Sequence, residues 1–597
     1  MKYNILLATA LLASAFSACK DDMEYGEYVL NTREYVDETF GGVTNMSNNV
    51  YNYLDVDYGN YSGAMQCCAT DEAVCAALSN TVQGFTNGNW SASNNLDAKR
   101  WEDAYKGIQC ANYYLKNFQG MTFDDLKNNG SYEKDMIRYY YSFPEVRALR
   151  AYLYFDLVRN YGDVPYFTDV VSVDNANSMP RTPALTILDN IIAECDAIKD
   201  TVVYDFSDNP YEIGSYDGMN YRVDHFFVLA LKARAALYAA SPLFNPAPST
   251  ERWTAAAKAA KQLIDESNAR KGKHGLTNDY SIITSAFPLE TGEVIFARMP
   301  YPIKNNKREG WNYPVGIEGG GSGLNCPSQT LVDAYEMKAT GKSINEEGSG
   351  YDPANPYKGR DPRLAMTIAC NGDVWPAVYK DTVSNAFRLE TWAYDASGNI
   401  GISGPNVSGG TPTSYLLKKG VQGGTEDSYK NGVTFRTGAI GVTEAMHCWV
   451  TFRLAEFYLN FAEAAFRATG NATTPVEGMT ANEAVNIVRK RVGMPAFPEE
   501  LAGDDWMRKY KNERFVELAF EGHRFYDLRR WKGDSDGVDA EHRMQSVDGM
   551  TIIKNADGSF SYERKTISRK WDNKMYLFPI AQSELLKNSA LVQNAGW

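Results

Sequence analysis

This sequence has few histidines, no zinc-type cysteine spacing and no apolar run long enough to cross a membrane. It has only 5 histidines in 597 residues, which leaves little material for metal-binding or acid–base sites. Its nine cysteines match no zinc template, and Cys67 and Cys68 are adjacent rather than two apart. Asp534–Gly537 and Asp557–Gly558 resemble calcium loops only in composition and are interpreted as turns. We therefore expect no cofactor and no metal ion.

The distribution of apolar residues predicts the compartment. No segment after Cys19 is apolar for the roughly 20 residues that a membrane-spanning helix needs. At the N-terminus, Lys2 precedes the mostly apolar stretch Ile5–Phe16, which has the length of a signal-peptide core. The small residues before Cys19 resemble a lipobox, which predicts cleavage after residue 18 and a lipid anchor on the Cys19 thiol. The alternative is an ordinary secretory signal with Cys19 as a bystander.

Charge and cysteine content limit the partners and the covalent chemistry. The net charge of −14 argues against nucleic acid or an anionic membrane as the main partner. It also disfavours highly acidic polysaccharides, unless a local basic patch overrides it. A chain this long does not need disulfide bonds, so we expect most of the remaining cysteines to be buried free thiols. The best disulfide candidates are Cys67, Cys68, Cys75 and Cys110.

Apolar residues at helical spacing predict a mainly α fold. Two predicted helix pairs carry small alanines that allow close approach, and they resemble divergent tetratricopeptide units. No clean repeat of about 34 residues is present, so a regular solenoid is not expected. The predicted helices are 97–118, 144–159, 183–201, 224–240, 253–267, 450–469 and 481–492.

Between residues 279 and 446 the helical periodicity fades. Gly, Pro, Asn, Ser and Thr dominate this region, with short extended pieces such as Glu293–Ala297 and Ser414–Lys418. Long irregular segments inside a compact chain are usually either functional or disordered, and the Trp and Tyr residues of this region argue against disorder. We predict a loop-rich, ligand-binding insertion with short β-strands inside a single domain that spans residues 40–597.

The most informative stretch is 513–531, which reads ERFVELAFEGHRFYDLRRW. Its apolar residues fall at helical spacing, so it predicts one amphipathic helix. Oppositely charged residues crowd the polar side, and Glu521 and Arg524 stand three apart, close enough to meet on a helix surface. The charges by themselves indicate a scaffold helix whose ions are satisfied by neighbours.

This stretch closely resembles the C-terminal helix motif of the SusD/RagB family, and other segments extend the resemblance over nearly the whole mature chain. The further matching segments are 147–166, 359–364, 453–464 and 576–597. The resemblance implies a surface lipoprotein that binds oligosaccharide or polysaccharide and passes it to a SusC-like TonB-dependent β-barrel, without catalysis. Lys20-Asp21-Asp22 resembles an export tag, which implies an extracellular-facing anchor in the outer membrane and a tether over residues 19–39.

A glycan site needs flat aromatic rings over the C–H faces of the sugar and polar side chains for its hydroxyl groups. One candidate region is the Asn-rich loop 84–95, where Trp90 is either a ligand platform or a cap over the next helix. In a nearby family-like stretch, Asp71 offers a carboxylate, with a helix cap as the alternative.

The other candidate region for the glycan is the insertion. Trp311 and Tyr313 are flanked by turn formers, so both rings are expected on a loop. In the segment 387–394, residues alternate, so that Arg388 and Trp392 share one strand face. Together with Tyr394, they complete the predicted set of ligand-binding residues.

Two other functions remain open from the sequence. A glycoside hydrolase needs two carboxylates held roughly 5 to 10 Å apart, and the 74 acidic residues of this chain allow such a pair. A peptide-binding uptake protein of the RagB type fits the helix pairs, since helix-pair repeats commonly bind proteins.

Overall fold

Helices are the main regular structure of the described residues, and the strands between them are short. The computed structural model describes residues 38–206, 222–271, 273–299, 304–305, 307–315, 321–374, 388–421, 434–435 and 442–597. The predicted lipid-bearing Cys19, with the rest of residues 1–37, lies outside this part. None of the described helices is both long and apolar enough to cross a membrane. The predominance of helix confirms the predicted fold class.

The described elements are numbered in chain order. The helices are α1 Phe40–Asn49, α2 Gly84–Asn87, α3 Ala98–Asn117, α4 Tyr132–Tyr161, α5 Val173–Ala176, α6 Ala184–Ile198, α7 His225–Ala240, α8 Thr250–Ala269, α9 Tyr280–Ile283, α10 Lys307–Asn312, α11 Gln329–Ala334, α12 Arg363–Thr367, α13 Leu454–Thr469, α14 Ala481–Lys490, α15 Gly503–Glu517, α16 Arg524–Arg530, α17 Ala540–Arg543 and α18 Gln582–Lys587. The strands are β1 Ala73–Cys75, β2 Val294–Arg298, β3 Lys304–Asn305, β4 Asn325–Pro327, β5 Ile368–Ala369, β6 Tyr394–Asp395, β7 Leu416–Leu417, β8 Thr434–Phe435, β9 Val442–Met446, β10 Trp449–Arg453, β11 Ser546–Lys554 and β12 Phe560–Ser568.

The predicted helix pairs are present and form the scaffold. Helix α8 packs against α7 and also against α13, which pairs in turn with α14. Ala257 and Ala260 on α8 are fully buried, and their small side chains allow this close approach. Ser249 caps α8, because its Oγ accepts a hydrogen bond from the Arg252 backbone N–H at 3.2 Å.

Two predicted helix boundaries are wrong. Helix α4 begins at Tyr132 rather than Pro144, which lies inside it, and ends as predicted at Gly162 with a φ of 70°. Helix α13 begins at Leu454 rather than at residue 450, because Trp449–Arg453 pairs as strand β10 with β2. Strand pairing there satisfies backbone groups that a longer helix would otherwise bond internally.

The strands form five small sheets rather than one large one. Among the described residues the pairings are β1 with β4, β2 with β10, β5 with β7, β3–β9–β8 and β12–β11–β6. The hairpin β11–β12 is antiparallel from Ser546 opposite Ser568 to Lys554 opposite Phe560. Strands β2 to β9 come from the predicted insertion, which confirms that it carries short strands.

The stretch 513–531 is two helices and not one. Helices α15 and α16 are separated by a turn in which Phe520 has a φ of 62° and Gly522 a φ of 77°. The expected contact between Glu521 and Arg524 is also wrong. Glu521 accepts hydrogen bonds from Arg453, whereas Arg524 binds elsewhere in the chain. The turn separates the two helices, and most of these charges pair with other segments, although Arg530 binds Asp527 at 2.8 Å within α16.

The charged residues of this stretch lie in the core, where distant segments satisfy them. Glu517 is fully buried and accepts hydrogen bonds from Arg363 at 2.9 Å, from Arg453 at 2.7 Å and from Arg491. Glu513 binds Arg363 at 2.6 Å. The interpretation of these charges as a satisfied scaffold is therefore confirmed, although burial makes each partner essential to the others.

Acid is expected to remove the stabilisation that Glu517 provides. Burial alone would raise the pKa of Glu517, but the guanidinium groups of Arg491, Arg453 and Arg363 outweigh burial and lower it from 4.5 to about 2. Because the pKa in the folded state is depressed, the stabilisation is present above about pH 4.5 and is lost as the pH falls towards about 2. The shift corresponds to about 3 kcal/mol.

Urea unfolding at a series of pH values measures this loss. The Glu517→Gln variant is the control, because glutamine does not titrate, and its free energy of unfolding should fall less steeply with acid. Equal slopes for the wild type and the variant between about pH 5 and about pH 2.5 would contradict the assignment.

The cysteines are thiols, as expected. All eight described cysteines are free, and all are buried except Cys110, which is partly exposed. Burial is the main cause that raises the pKa of the Cys370 and Cys448 thiols. Cysteine therefore acts here as a small apolar core residue.

Candidate functional site

The indole of Trp311 packs on the loop 59–63, where it meets two glycines that have no side chain. Trp311 belongs to the short helix α10 and is half-buried. A Cβ added at Gly63 would lie 2.6 Å from Trp311 Cδ1, and one added at Gly59 would lie 2.9 Å from Cζ3. Both glycines also have positive φ, at 94° and 101°. We call Gly59, Gly63 and the Trp311 ring the Trp311 cradle.

Buried polar side chains fix the loop of the Trp311 cradle. Asp57 accepts hydrogen bonds from the backbone N–H groups of Gly59 at 3.3 Å and Gln66 at 2.7 Å. Asn325 accepts from Met65 N–H at 2.8 Å and donates to Gly63 O at 3.1 Å. Because these bonds hold the loop from both ends, the surface under the indole is preorganised.

The loop's exposed side is polar, and its buried side carries a carboxyl group with an unusual pKa. Asn60 and Ser62 are exposed on the loop, and among the described residues the indole N–H of Trp311 has no hydrogen-bond partner. Burial raises the pKa of Asp57 to about 6, although the Gln66 and Gly59 N–H groups oppose the rise. The Asn60 amide nitrogen donates to Val56 O at 2.7 Å, so its amide oxygen and the Ser62 hydroxyl are the groups left for a ligand. A flat ring on such a loop is suited to stacking on a sugar.

Filling the Trp311 cradle is expected to damage it. In Gly63→Ala, the new methyl group would collide with the indole and the residue would keep a φ near 94°. Gly120 is the matched control, because its φ is 80° and a Cβ there meets nothing within 4 Å. We expect Gly63→Ala to cost about 1–3 kcal/mol more than Gly120→Ala, measured by urea unfolding. Equal losses would show that the indole does not rest on Gly63.

Tyr313 does not share the surface position of Trp311. Its side chain is only 2% exposed and lies in the main hydrophobic core. The backbone is held by a hydrogen bond from Tyr313 N to Glu309 O at 2.8 Å and by one from Gly323 N to Tyr313 O at 3.0 Å. The expectation that both rings are displayed is therefore wrong for Tyr313.

Trp90 is buried and not displayed. Its ring is 3% exposed and makes edge-to-face contacts with Phe85, Phe578 and Trp597 at centroid distances of 4.6, 4.9 and 5.0 Å. This burial contradicts the expectation of a ligand platform. Since two of the three contacts come from the C-terminal segment, Trp90 packs the loop 84–95 against that segment.

Asp71 is engaged in an ion pair. Its carboxylate accepts two hydrogen bonds from Arg524, at 2.8 and 2.6 Å, and its side chain is almost fully buried. Asp71 lies in the wall of a cleft of about 880 Å³, but its oxygens are directed to the guanidinium group. The expectation of a free carboxylate, and the alternative of a helix cap, are both wrong.

The segment with Arg388, Trp392 and Tyr394 is split between surface and core. Arg388 is exposed and donates to Gly372 O at 3.2 Å, whereas Trp392 is buried beneath Lys554, whose Nζ lies 5.1 Å from the ring centroid. Tyr394 is 42% exposed. The expected shared face of Arg388 and Trp392 is therefore wrong, and Arg388 and Tyr394 alone of this predicted set reach the surface.

The glycine-rich segment 401–410 lies between the Trp392 region and the residues that follow Trp311. Gly401 N–H donates to Trp392 O at 3.2 Å, and Ser403 Oγ donates to Val315 O at 2.7 Å. The segment thus contacts both the strand region before it and the residues that follow Trp311. Gly59 and Gly63 are not among the predicted site residues. Two glycines four residues apart, close after Asp57, could have indicated a loop with an unusual backbone at this point.

The scaffold is built from helix pairs, and it carries a half-buried tryptophan that packs on a loop fixed by buried polar side chains. A model of the SusD family matches residues 292–597, more than half of the chain. A second model, described as starch-binding and associating with the outer membrane, matches residues 19–210. The chain therefore belongs to the SusD family, which confirms the resemblance seen in its motifs.

Individual relatives agree with this assignment. SusD-like protein P2 of Formosa agariphila is 23% identical over 531 residues, which cover 86% of this chain and 82% of that protein. A SusD-like protein of Bacteroides fragilis has a similar structure, with a TM-score of 0.70, 24% identity and coverage of 94% and 98%. A laminarin-binding SusD-like protein has a TM-score of 0.59, 19% identity and coverage of 93% and 99%. These structural likenesses show the fold.

Proposed function

We propose that this protein captures a glycan at the cell surface and that the Trp311 cradle contacts the sugar. The observation that carries the proposal is the half-buried indole, seated on two side-chain-free residues and bordered by exposed polar groups. A ring held this way loses little conformational entropy when a ligand stacks on it. Arg388 and Tyr394 also reach the surface, but no contact joins either of them to the Trp311 cradle within the described residues.

The descriptions of relatives support a carbohydrate ligand. One matching family model is described as starch-binding. Similar structures include a SusD-like carbohydrate-binding protein of Bacteroides fragilis, with a TM-score of 0.68, 20% identity and coverage of 93% and 100%, and the laminarin-binding protein. We infer a saccharide for this chain from that agreement together with the aromatic cradle.

We further propose that the protein delivers the glycan to a SusC-like TonB-dependent barrel. A lipid on Cys19 and a tether over residues 19–39 would hold residues 40–597, acting as one domain, at the outer face of the outer membrane. Tethering raises the effective concentration of the captured sugar and of the partner barrel at the same surface. The family description of association with the outer membrane supports this location.

The proposed role is binding without catalysis. A glycosidase needs one carboxyl group free to donate a proton and a second one placed roughly 5 to 10 Å away. The carboxyl group that fixes the loop of the Trp311 cradle belongs to Asp57, and its two oxygens accept hydrogen bonds from backbone N–H groups of Gly59 and Gln66. Asp57 therefore supports the loop and is not available as an acid.

Affinity electrophoresis of the full chain in detergent tests the proposal. Gels that contain amylopectin, laminarin or xylan should slow the protein in at least one case, and an assay for reducing ends should detect no product. Retention by peptides with none of the polysaccharides would favour the peptide-binding alternative. Sugar release that a single carboxylate substitution abolishes would show a glycoside hydrolase.

A further inference from the structure

A second aromatic surface lies away from the Trp311 cradle. Helix α3, the segment 165–177 and the C-terminal helix α18 enclose a groove of about 480 Å³. This volume lies within the range of about 300–1,000 Å³ that is usual for small-ligand sites. No residue of the Trp311 cradle lines it.

The floor of the groove is built from aromatic rings. The half-buried rings of Tyr105 and Phe167 lie nearly parallel, with an interplanar angle of 14° and a centroid distance of 6.1 Å. Trp101 packs beside Tyr105 at 5.0 Å. The faces of these rings that the fold leaves uncovered offer apolar surface for the C–H groups of a ligand.

This floor is held in place by hydrogen bonds from the scaffold. Tyr105 Oη donates to Pro165 O at 2.8 Å. Tyr154 Oη donates to Phe167 O at 2.6 Å and accepts from Phe167 N–H at 2.9 Å, and Arg150 donates to Thr168 O at 2.8 Å. The loop that carries Phe167 is therefore fixed before any ligand binds, which lowers the entropic cost of binding.

The rim of the groove favours an uncharged ligand. The charged residues that line it are all paired with a residue of opposite sign: Glu102 with Lys106 at 2.6 Å, Asp169 with Lys116 at 2.9 Å, and Glu584 with Lys587 at 2.7 Å. The neutral polar side chains at the rim are different. Within the described ranges, those of Gln109, Asn177 and Ser583 have no hydrogen-bond partner, so their amide and hydroxyl groups can bond a ligand.

We propose that this groove is a second saccharide site, for a neutral oligosaccharide whose rings stack on Tyr105 and Phe167. Flat rings, unpaired amides and a hydroxyl, and compensated charges together match the chemistry of an uncharged sugar. The inference goes beyond the proposed function, because it adds a site that the Trp311 cradle does not need. A long polysaccharide that engaged both surfaces would be retained by avidity.

Calorimetric titration of the full chain in detergent with maltotriose and with laminaritriose tests the second site. Trp311→Ala should leave residual binding of at least one trisaccharide. In that background, Phe167→Leu, which keeps apolar bulk but removes the ring, should weaken the residual binding by about tenfold. Tyr140→Leu in the same background is the control and should bind as before, because Tyr140 is an aromatic residue on α4 that is 59% exposed and does not line the groove.

The outcomes separate the two sites. If Phe167→Leu binds like the Tyr140→Leu control, or if no trisaccharide binds once Trp311 is replaced, the second site is overturned while the Trp311 site stands. If Trp311→Ala changes nothing and Phe167→Leu removes all binding, the groove is the site and the proposed role of the Trp311 cradle is overturned. Stronger binding of trigalacturonate than of either neutral trisaccharide in the Trp311→Ala protein would contradict the neutral ligand class.

Discussion

Replacing Glu517 by glutamine is expected to lower the free energy of unfolding by about 3–5 kcal/mol. Glu517 is fully buried and accepts hydrogen bonds from three arginines, namely Arg363, Arg453 and Arg491. An amide cannot neutralise them, so three buried guanidinium groups would be left with too little negative charge. The desolvation of those groups has already occurred in the fold, and its cost would no longer be offset.

Urea unfolding measures this effect, with Glu563→Gln as the matched control. Glu563 lies on the exposed face of β12, and removal of an exposed carboxylate usually changes stability by less than about 0.5 kcal/mol. If the Glu517 variant unfolds at the same urea concentration as the Glu563 variant, the buried ion network is not what stabilises this part of the core. If the Glu517 variant does not fold at all, Arg491→Lys provides a milder break of the same network.

Replacing Trp311 by alanine is expected to weaken glycan binding by about 30-fold or more, since a buried aromatic anchor typically contributes about 2 kcal/mol. Stability should change little by comparison, because the indole is half-exposed and the loop beneath it is fixed independently by Asp57 and Asn325. Trp311→Phe should recover part of the affinity, since it keeps a smaller flat ring on the same glycines.

The comparison variant for Trp311 is Tyr394→Ala. Tyr394 is the more exposed aromatic of the two and belongs to the segment that the sequence also predicted as ligand-binding. Titration with the polysaccharide that retains the wild type should show a far larger loss for Trp311→Ala than for Tyr394→Ala. The reverse order would place the sugar on the side of the β6 strand and would contradict the proposed site.

The sequence predicted the scaffold because its signals are local. Helical spacing along α7 and α8 and the small alanines between them depend on neighbouring residues only. The stretch 513–531 shows the limit of the same reasoning. The spacing of its apolar residues indicates one helix, but the positive φ angles of Phe520 and Gly522 divide the stretch into two helices. Arg514 and Arg530 bind Asp527 inside the stretch, but the partners of Glu513, Glu517 and Glu521 come from segments far away in the chain, and spacing carries no information about them.

The aromatic residues of the candidate site were harder to predict for the same reason. Trp90 stands in an Asn-rich loop that reads as exposed, yet Phe578 and Trp597 cover it from the other end of the chain. Burial by such distant partners cannot be derived from local composition. Trp311 lies half-buried in helix α10 rather than on a loop, and its neighbour Tyr313 packs into the core.

A crystal structure of the protein with a bound oligosaccharide tests the central claim most directly. We expect a sugar ring stacked on the outer face of the Trp311 indole, with Gly59 and Gly63 against the other face and no bond of the sugar broken. A sugar that is bound elsewhere and leaves the Trp311 indole untouched would contradict it.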